Sequence, residues 1–429
     1  MLRYYPLFTQ YFTAKMRRLT IILSTLLLSN IASSQITLES YTNEVLAYSI
    51  TLNQASLQNE SEVWELRRIR REQLPEIGFD RSASVDFGHQ GTGRAWSWET
   101  RLEARQIIYN GGAIRAQREA QEQEVEIEQL AYAMSIRAIR LEAEEAYWRL
   151  SYANEYLKSM EYYRDIIDTL YGVVERRFDE GYSAKGDLLQ IKSRLSDAEY
   201  QLATAKEAYD IALHSFNSLC NRTIDKEVVL SESILTIALM PTRSDIDELI
   251  TSHPEHRIAE LRAEQGRWRV KGVNAEYLPH IDIRTYATLQ PELPHTRKSG
   301  LELGGGAMIG ISSTLFHFGE RRNAVNSAKS KQLILELEIE AVSDEIALTE
   351  EDSWTELTRT HERVVSQTKS LDIASENLEI STYAYNEGES SILDVMQAQI
   401  SWLQTYKNYL AAHYDYAVAC AKYRYITGD

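Results

Sequence analysis

Two proline-free windows of 68 residues, Ala113–Glu180 and Glu320–Glu387, limit the folds that are open to this chain. All seven prolines lie outside these windows, and Gly172 is the single glycine within them. Both windows are rich in strong helix formers, and their apolar residues recur at three- and four-residue steps. A continuous helix of this length would measure about 100 Å, which is deeper than an ordinary globular core. We therefore predict long helices that pair as a coiled coil, a bundle or a helical wall.

The chain is also a tandem duplication. RFDEGYSAKGDLLQIK (177–192) and AYNEGESSILDVMQAQ (384–399) align at an offset of 207 residues. The Leu-Pro motifs at 74–77 and 278–281 align at an offset of 204, so the second copy gains three residues in between. The period is far longer than that of a solenoid, and it indicates two copies of one unit.

The duplicated motif follows each window and predicts a sharp turn between two helices. Gly181 and Gly388 suit the left-handed residue that ends many helices. Ser183 or Ser391 can cap the helix that follows, and Ser391 to Asp394 has the spacing of a capping box. Each copy is thus predicted to contain a helical hairpin with this motif at its tip.

Period-two segments precede each hairpin. They lie at 77–87, 94–109, 281–289 and 301–311, with apolar residues alternating with charged residues or glycines. The alternation alone is equally compatible with a soluble sandwich and with an outer-membrane barrel, whose polar face lines a wet lumen. The export signal and the absence of a spanning helix in the sequence favour the barrel. Four strands cannot close one, so we expect other subunits to complete it.

The first 34 residues have the pattern of an export signal. Arg17 and Arg18 precede the apolar run 19–28, and small residues stand before Gln35. Removing this segment leaves 42 basic and 63 acidic residues, a formal charge of −21, which argues against nucleic acid as a partner. Cys220 and Cys420 stand at different heights of the repeat, and we predict two unpaired thiols.

These motifs resemble the TolC-like outer-membrane efflux proteins. The resemblance is carried by the two tip motifs, by the strand-to-helix junctions IIYNGGAIRAQ and TLFHFGERRNA, and by the repeat ends LCNR and ITGD, and it spans about residues 36–429. It implies a homotrimer whose 12-stranded β-barrel sits in the outer membrane of a Gram-negative bacterium, continued into the periplasm by a long α-helical barrel. It also implies three kinds of partner: a periplasmic adaptor (membrane fusion) protein, an inner-membrane pump that is proton-driven or of the ABC type, and outer-membrane lipid.

The expected fold class is therefore a mixed α/β membrane protein built from a duplicated β-β-α-α unit, with four strands per protomer. The expected domains are a signal peptide at 1–34, a first repeat at 35–221, an equatorial linker at 222–243 and a second repeat at 244–429. Strands are expected at about 76–109 and 280–316. Long helices are expected at 113–180, 184–218, 320–387 and 391–425.

The resemblance also implies functional residues. The tips would contact the adaptor through Glu180, Gly181, Tyr182, Ser183, Ala184, Glu387, Gly388, Glu389, Ser390 and Ser391. The periplasmic aperture would involve Asp394, Gln397 and Asp187, although for both aspartates we favour compensation of the helix dipole. Gln397 stands where some family members carry a second aspartate. Aromatic girdles at the bilayer interfaces would comprise Trp96, Trp98, Tyr109, Phe316 and Phe318.

The remaining patterns favour structural roles, and we expect neither a catalytic site nor a cofactor or metal. His253-Pro254-Glu255-His256 is interpreted as a helix start, and the glycines at 304–306 as sites of close backbone approach or of a smooth lumen. Arg81, on the otherwise apolar face, is expected near an interface or against a neighbouring group. The predicted function is a passive exit duct for drugs, metal ions or proteins. The alternative is a periplasmic coiled-coil structural or adaptor protein with a small soluble β domain.

Overall fold

The computed structural model describes residues 35–86, 95–236, 239–291, 300–316 and 318–428. The chain forms, in order, α1 Leu38–Tyr48, α2 Ile50–Arg71, β1 Glu76–Asp86, β2 Ala95–Asn110, α3 Ala113–Asp179 and α4 Lys185–Leu219. It continues with α5 Ile246–Ser252, α6 Pro254–Ala275, β3 His280–Pro291, β4 Leu301–Ser312, α7 Glu320–Glu387 and α8 Ile392–Thr427. For a single chain the predicted fold class is confirmed: long helices and one sheet of four strands.

The contacts divide the chain into two compact units, and each contains parts of both sequence copies. The first, here called the hairpin unit, comprises the described residues up to Ser49, those within Ala138–Thr242 and those from Ser353 onward. The second, the sheet unit, comprises Ile50–Arg137 and Arg243–Asp352. The units therefore cut across the duplication, because α3 and α7 each contribute residues to both.

The hairpin unit is built around a core that is shared by α3, α4, α7 and α8. Met160, Tyr163 and Ile167 of α3 are buried with residues of α4, α7 and α8 such as Ile191 and Val395. A second cluster packs Leu357 and Val364 of α7 against Tyr416 and Tyr423 of α8. Helices that long gain most of their stability from such apolar faces rather than from intrinsic propensity.

In the sheet unit the strands form one antiparallel sheet in the order β1-β2-β3-β4. A bulge between Ile107 and Tyr109 shifts the β2–β3 register, so that Tyr109 stands opposite Ile281. Ile108 is the extra residue of the bulge and has no partner on β3. The extra residue inverts the alternation beyond it, which places Tyr109 on the same face as Ile281.

The helices of the sheet unit follow the same order as the strands. Gln121 of α3 donates a hydrogen bond to Glu62 of α2, at 2.7 Å between Nε2 and Oε2. Arg257 of α6 pairs with Glu126 of α3 at 2.9 Å. Ion pairs between α6 and α7 complete the series α2-α3-α6-α7. The outer helices of this layer are therefore α2 and α7, and the outer strands are β1 and β4.

Candidate functional site

The second hairpin tip carries the predicted capping box. Ser391 is the N-cap of α8, and its hydroxyl accepts a hydrogen bond from the backbone N–H of Asp394 at 3.4 Å. The Asp394 carboxylate in return accepts from the Ser391 backbone N–H at 3.0 Å. The hydrogen bonds from the Ser391 side chain and backbone lower the pKa of Asp394 below its ordinary value. Its structural role at the start of α8 is confirmed.

The first tip is built differently. The N-cap of α4 is Ala184, which has no side-chain acceptor, so Ser183 is not the cap that we expected. Ser183 instead donates to the Asp187 carboxylate at 3.1 Å, and the Ala184 backbone N–H donates to the same group. At the offset of 207 residues Ala184 aligns with Ser391, so α4 and α8 begin at equivalent residues and differ only in the side chain at the N-cap. At both tips the glycine, Gly181 or Gly388, has the predicted left-handed backbone.

Arg177 links the two hairpins near their tips, a contact that the sequence analysis did not predict. The Arg177 guanidinium donates to the backbone carbonyl of Asn386 at 3.0 Å and to that of Tyr385 at 3.2 Å. It also lies 4.6 Å from the centroid of the Tyr385 ring. These carbonyls end α7, where a cation is favourable. The one available signal was asymmetry between the copies, since Ala384 occupies the equivalent position.

The predicted tip and aperture residues are mostly exposed. Tyr182 is 82% exposed, and half-burial is limited to Ser183 and Ser390 among the ten tip residues. Asp394 and Gln397 are both exposed and one helical turn apart, whereas Asp187 is half-buried. The structure therefore brings the tip residues to accessible surfaces, and their roles in docking and in the aperture stay predictions.

The sheet presents an exposed apolar face. Ile77 of β1 is 73% exposed, Leu303 of β4 is 78% exposed, and Ile311 of β4 is 71% exposed. The strand register places these residues on one face together with Phe79, Leu102, Ile281, Ile283 and Ile309. In water an apolar surface of this extent marks a site of association with protein or membrane.

The opposite face is polar, and the predicted close approach at its glycines is confirmed. A Cβ atom on Gly306 would lie 2.9 Å from the hydroxyl oxygen of Tyr286 on β3. Gly304 is equally close to the hydroxyl of Thr288. These glycines make room for side chains of the neighbouring strand.

The predicted girdle aromatics lie toward both ends of the strands. Trp98 is in β2 near the end joined to β1, and Tyr109 is near the end that leads into α3. Phe316 follows β4 and packs edge-on against Phe318, with ring centroids 4.5 Å apart. The side chain of Trp96 lies outside the described residues. Arg81 lies over the Trp98 ring at 5.6 Å, so it faces a neighbouring group as expected.

The link between the two copies is tied to the N-terminal segment and to α3. Ile36 forms a parallel bridge with Leu230. The Tyr147 hydroxyl bonds to the Glu232 carboxylate, which also accepts from the Leu38 backbone N–H at 3.1 Å. Burial, followed by the bond to Glu232, raises the pKa of Tyr147 to about 12. Sequence reasoning missed both side chains, because no local pattern marks a contact across 85 residues.

Side chains suited to chemistry are sparse in the described part of the chain. No group of three or more His, Cys, Asp or Glu residues there could hold a metal ion. Cys220 and Cys420 are free and buried as predicted, and burial raises the pKa of each thiol. His253 caps α6 and confirms the predicted helix start. Among the described helices, none is both long and apolar enough to cross a membrane.

Comparisons with known proteins agree with this picture. Residues 42–222 and 246–429 match the family model described as outer membrane efflux protein. The structure of CusC, described in connection with transmembrane channel formation, superposes with a TM-score of 0.79 at 16% identity and covers 92% of each chain. The open-state MtrE channel of Neisseria gonorrhoeae gives a TM-score of 0.78 at 18% identity, covering 91% of this chain and 88% of its own. VceC of Vibrio cholerae gives 0.75 at 18% identity, with 91% and 96% covered. No curated protein matches.

Proposed function

The chain belongs to the outer membrane efflux protein family, and on this premise we propose that it is the outer-membrane exit duct of a tripartite export system. The family resemblance expected from the sequence is thereby confirmed. The family and the structural neighbours are outer-membrane channel proteins and not enzymes. The duct would be a homotrimer that moves small molecules, such as drugs or metal ions, or proteins from a periplasm-spanning pump to the exterior.

The observation that carries the proposal is the sheet with an exposed apolar face. In the described residues, β1 and β4 each pair with one neighbour, so their outer edges offer unpaired backbone groups. Open edges are not tolerated in hydrocarbon, and a closed barrel of three copies with twelve strands would remove them. The same face argues against the alternative of a small soluble β domain, which would bury its apolar side.

The spacing of the aromatics supports a membrane location. Trp98 and Tyr109 are eleven residues apart on β2, and because one of these is the extra residue of the bulge, their separation is about 33 Å along the strand. At the tilt typical of such barrels, this separation is about 25 Å across the bilayer. The hydrocarbon core of a bilayer is about 30 Å thick, so the two residues would stand near its opposite interfaces.

The helical layer supports assembly of identical copies. Leu57 of α2 is exposed on one outer helix. Leu333, Ile334 and Leu337 of α7 are exposed on the other. Because the open helical edges belong to the same series as the open strand edges, the α2 side of one copy would meet the α7 side of the next. Repeating this contact in one direction closes a ring.

The two tips would form the periplasmic mouth, with the link at 222–243 as an equatorial belt. Their exposed residues would contact a periplasmic adaptor, which in turn would engage a proton-driven or ABC pump in the inner membrane. Asp394 and Gln397 are exposed near the second tip, and in a trimer each would occur three times around the opening.

Assembly provides the test. The variant Leu337→Asp should dissociate the trimer in detergent, measured by light scattering, because it places a carboxylate in the proposed apolar contact. Tyr182→Asp at the exposed tip is the matched control and should leave the trimer intact. A wild-type protein that is monomeric in detergent and missing from outer-membrane fractions would refute the proposed duct.

A further inference from the structure

The four ends of helices that meet the sheet carry an excess of positive charge. The β-strand register puts the start of β3 opposite the ends of both β2 and β4, so these ends share one edge of the sheet. The helices α2 and α6 end at this edge, and α3 and α7 begin there. Their adjoining segments, 66–71, 113–118, 267–275 and 320–324, contain eleven basic residues and one acidic residue in a chain of net charge −17. The basic residues are Arg67, Arg68, Arg70, Arg71, Arg115, Arg118, Arg267, Arg269, Lys271, Arg321 and Arg322.

Compensation of helix dipoles explains only part of this excess. Cations are favourable at the C-terminal ends of α2 and α6, but they are unfavourable at the N-terminal ends of α3 and α7. Arg115 and Arg118 nevertheless stand in the first two turns of α3, whose first turn has no acidic residue. Arg321 and Arg322 stand in the first turn of α7. Glu119 and Glu122 of α3 compensate Arg115 and Arg118, whereas α7 has two arginines and one acidic residue, Glu320, in its first turn.

Internal ion pairs account for fewer than half of the basic residues. Arg68, Arg70, Arg115, Arg118 and Arg267 pair with glutamates. Arg321 bonds to a neutral amide. The others are Arg67, Arg71, Arg269, Lys271 and Arg322, here called the junction cations. They are exposed and make no ion pair with the residues that the structure describes.

Two of the junction cations lie on tryptophan rings. The Arg67 guanidinium carbon is 4.4 Å from the ring centroid of Trp64, and Lys271 Nζ is 3.5 Å from that of Trp268. Tryptophan is enriched where a bilayer meets water, and basic side chains near that level interact with anionic lipids. From the sheet toward the helices, the order is an apolar face, then Tyr109 and Phe316, then tryptophans with cations. A bilayer interface has the same sequence of layers.

We propose that the junction cations bind the headgroups of anionic phospholipids in the leaflet that faces the helices. The inference rests on the proposed function, because it requires the sheet to span that bilayer. Charge complementarity selects the occupant: a row of uncompensated cations beside an apolar face matches a phosphate beside its acyl chains. The bound lipid would fix the depth at which the sheet sits in the membrane.

The test compares association of two spin-labelled lipids, phosphatidylglycerol and phosphatidylcholine, with the full-length trimer in phosphatidylcholine bilayers by electron paramagnetic resonance. The wild-type protein should favour phosphatidylglycerol, and the preference should weaken at high salt. In the combined variant Arg71→Gln, Arg269→Gln, Arg322→Gln, the association of phosphatidylglycerol relative to phosphatidylcholine should fall roughly fivefold for each charge that is removed. These substitutions delete no ion pair among the described residues, and light scattering checks that the variant is still a trimer before its lipid preference is measured.

The matched control is Arg140→Gln, Arg149→Gln, Arg176→Gln, which removes three exposed arginines of the hairpin unit that also lack ion pairs in the described part of the chain. It should keep the wild-type preference. A wild-type trimer that inserts without preferring phosphatidylglycerol would overturn the inference and leave the proposed duct standing. A junction variant that keeps the full preference would do the same. Failure of the wild-type protein to insert at all would instead refute the proposed function.

Discussion

The junction between β2 and α3 contains two consecutive glycines that should respond differently to the same substitution. Gly111 and Gly112 both have a left-handed backbone, with φ of +69° and +90°. A Cβ atom on Gly111 would overlap the backbone oxygen of Ala275 and would lie 2.8 Å from Cβ of Leu278. A Cβ atom on Gly112 would meet nothing within 4 Å. Gly111 therefore sits against the segment that connects α6 to β3.

The magnitudes follow from these contacts. Alanine at a left-handed position lowers the free energy of unfolding by about 1–2 kcal/mol. About 0.4–1 kcal/mol of this loss is offset, because alanine reduces the conformational entropy of the unfolded chain relative to glycine. Gly112→Ala should thus destabilise the protein by roughly 1 kcal/mol. Gly111→Ala should add the cost of overpacking, about 1–3 kcal/mol, because backbone atoms must move apart. The difference between the variants isolates the contact with Ala275.

Thermal unfolding of the detergent-solubilised protein, followed by circular dichroism at fixed protein concentration, measures this difference. Concentration must be fixed because oligomer stability depends on it. Gly111→Ala should unfold at a clearly lower temperature than Gly112→Ala, and its yield in the outer membrane should fall. Equal unfolding temperatures for the two variants would refute the close approach of the β2–α3 junction to the end of α6.

Three further results are expected. Gly306→Ala should lower the unfolding temperature because its methyl group would meet the tyrosine ring on the next strand. Gly78→Ala should have little effect, since a methyl group there would meet nothing within 4 Å. Similar decreases in unfolding temperature for the two variants would contradict this packing. Because the pKa of Asp394 is lowered in the folded protein, its capping bonds stabilise the start of α8 at pH values above the ordinary carboxyl pKa and are lost as the pH falls through the folded pKa. Amide hydrogen exchange at the start of α8, corrected for its intrinsic pH dependence, should therefore become faster in acid in the wild type but not in Asp394→Asn. Tyr147→Phe should remove one hydrogen-bond donor from the Glu232 carboxylate and lower the local stability of the 222–236 link by about 1–3 kcal/mol. Proteolysis of the link should then be faster, and an unchanged cleavage rate would refute this anchoring role.

Local patterns predicted the helices and strands because their causes are local. The proline-free windows, the period-two segments and the tip motif depend on backbone preferences within a few residues. The predicted capping box at Ser391 is confirmed for this reason. The cap at Ser183 failed because an N-cap must be located to within one residue, and the N-cap of α4 is the neighbouring Ala184. A single shift of register or helix start changes that position without changing the pattern.

The sequence by itself determined the duplication, the alternation of long helices with amphipathic strands, and the family, since these are properties of spacing and composition. Only the tertiary structure decided which distant residues meet. In the folded chain Arg177 contacts the end of α7, and Tyr147 contacts Glu232. The fold also brings basic residues from four segments to one edge of the sheet. The physical reason is that such contacts depend on the packing of whole helices, and a side chain on a long helix carries no local mark of the partner that it will face.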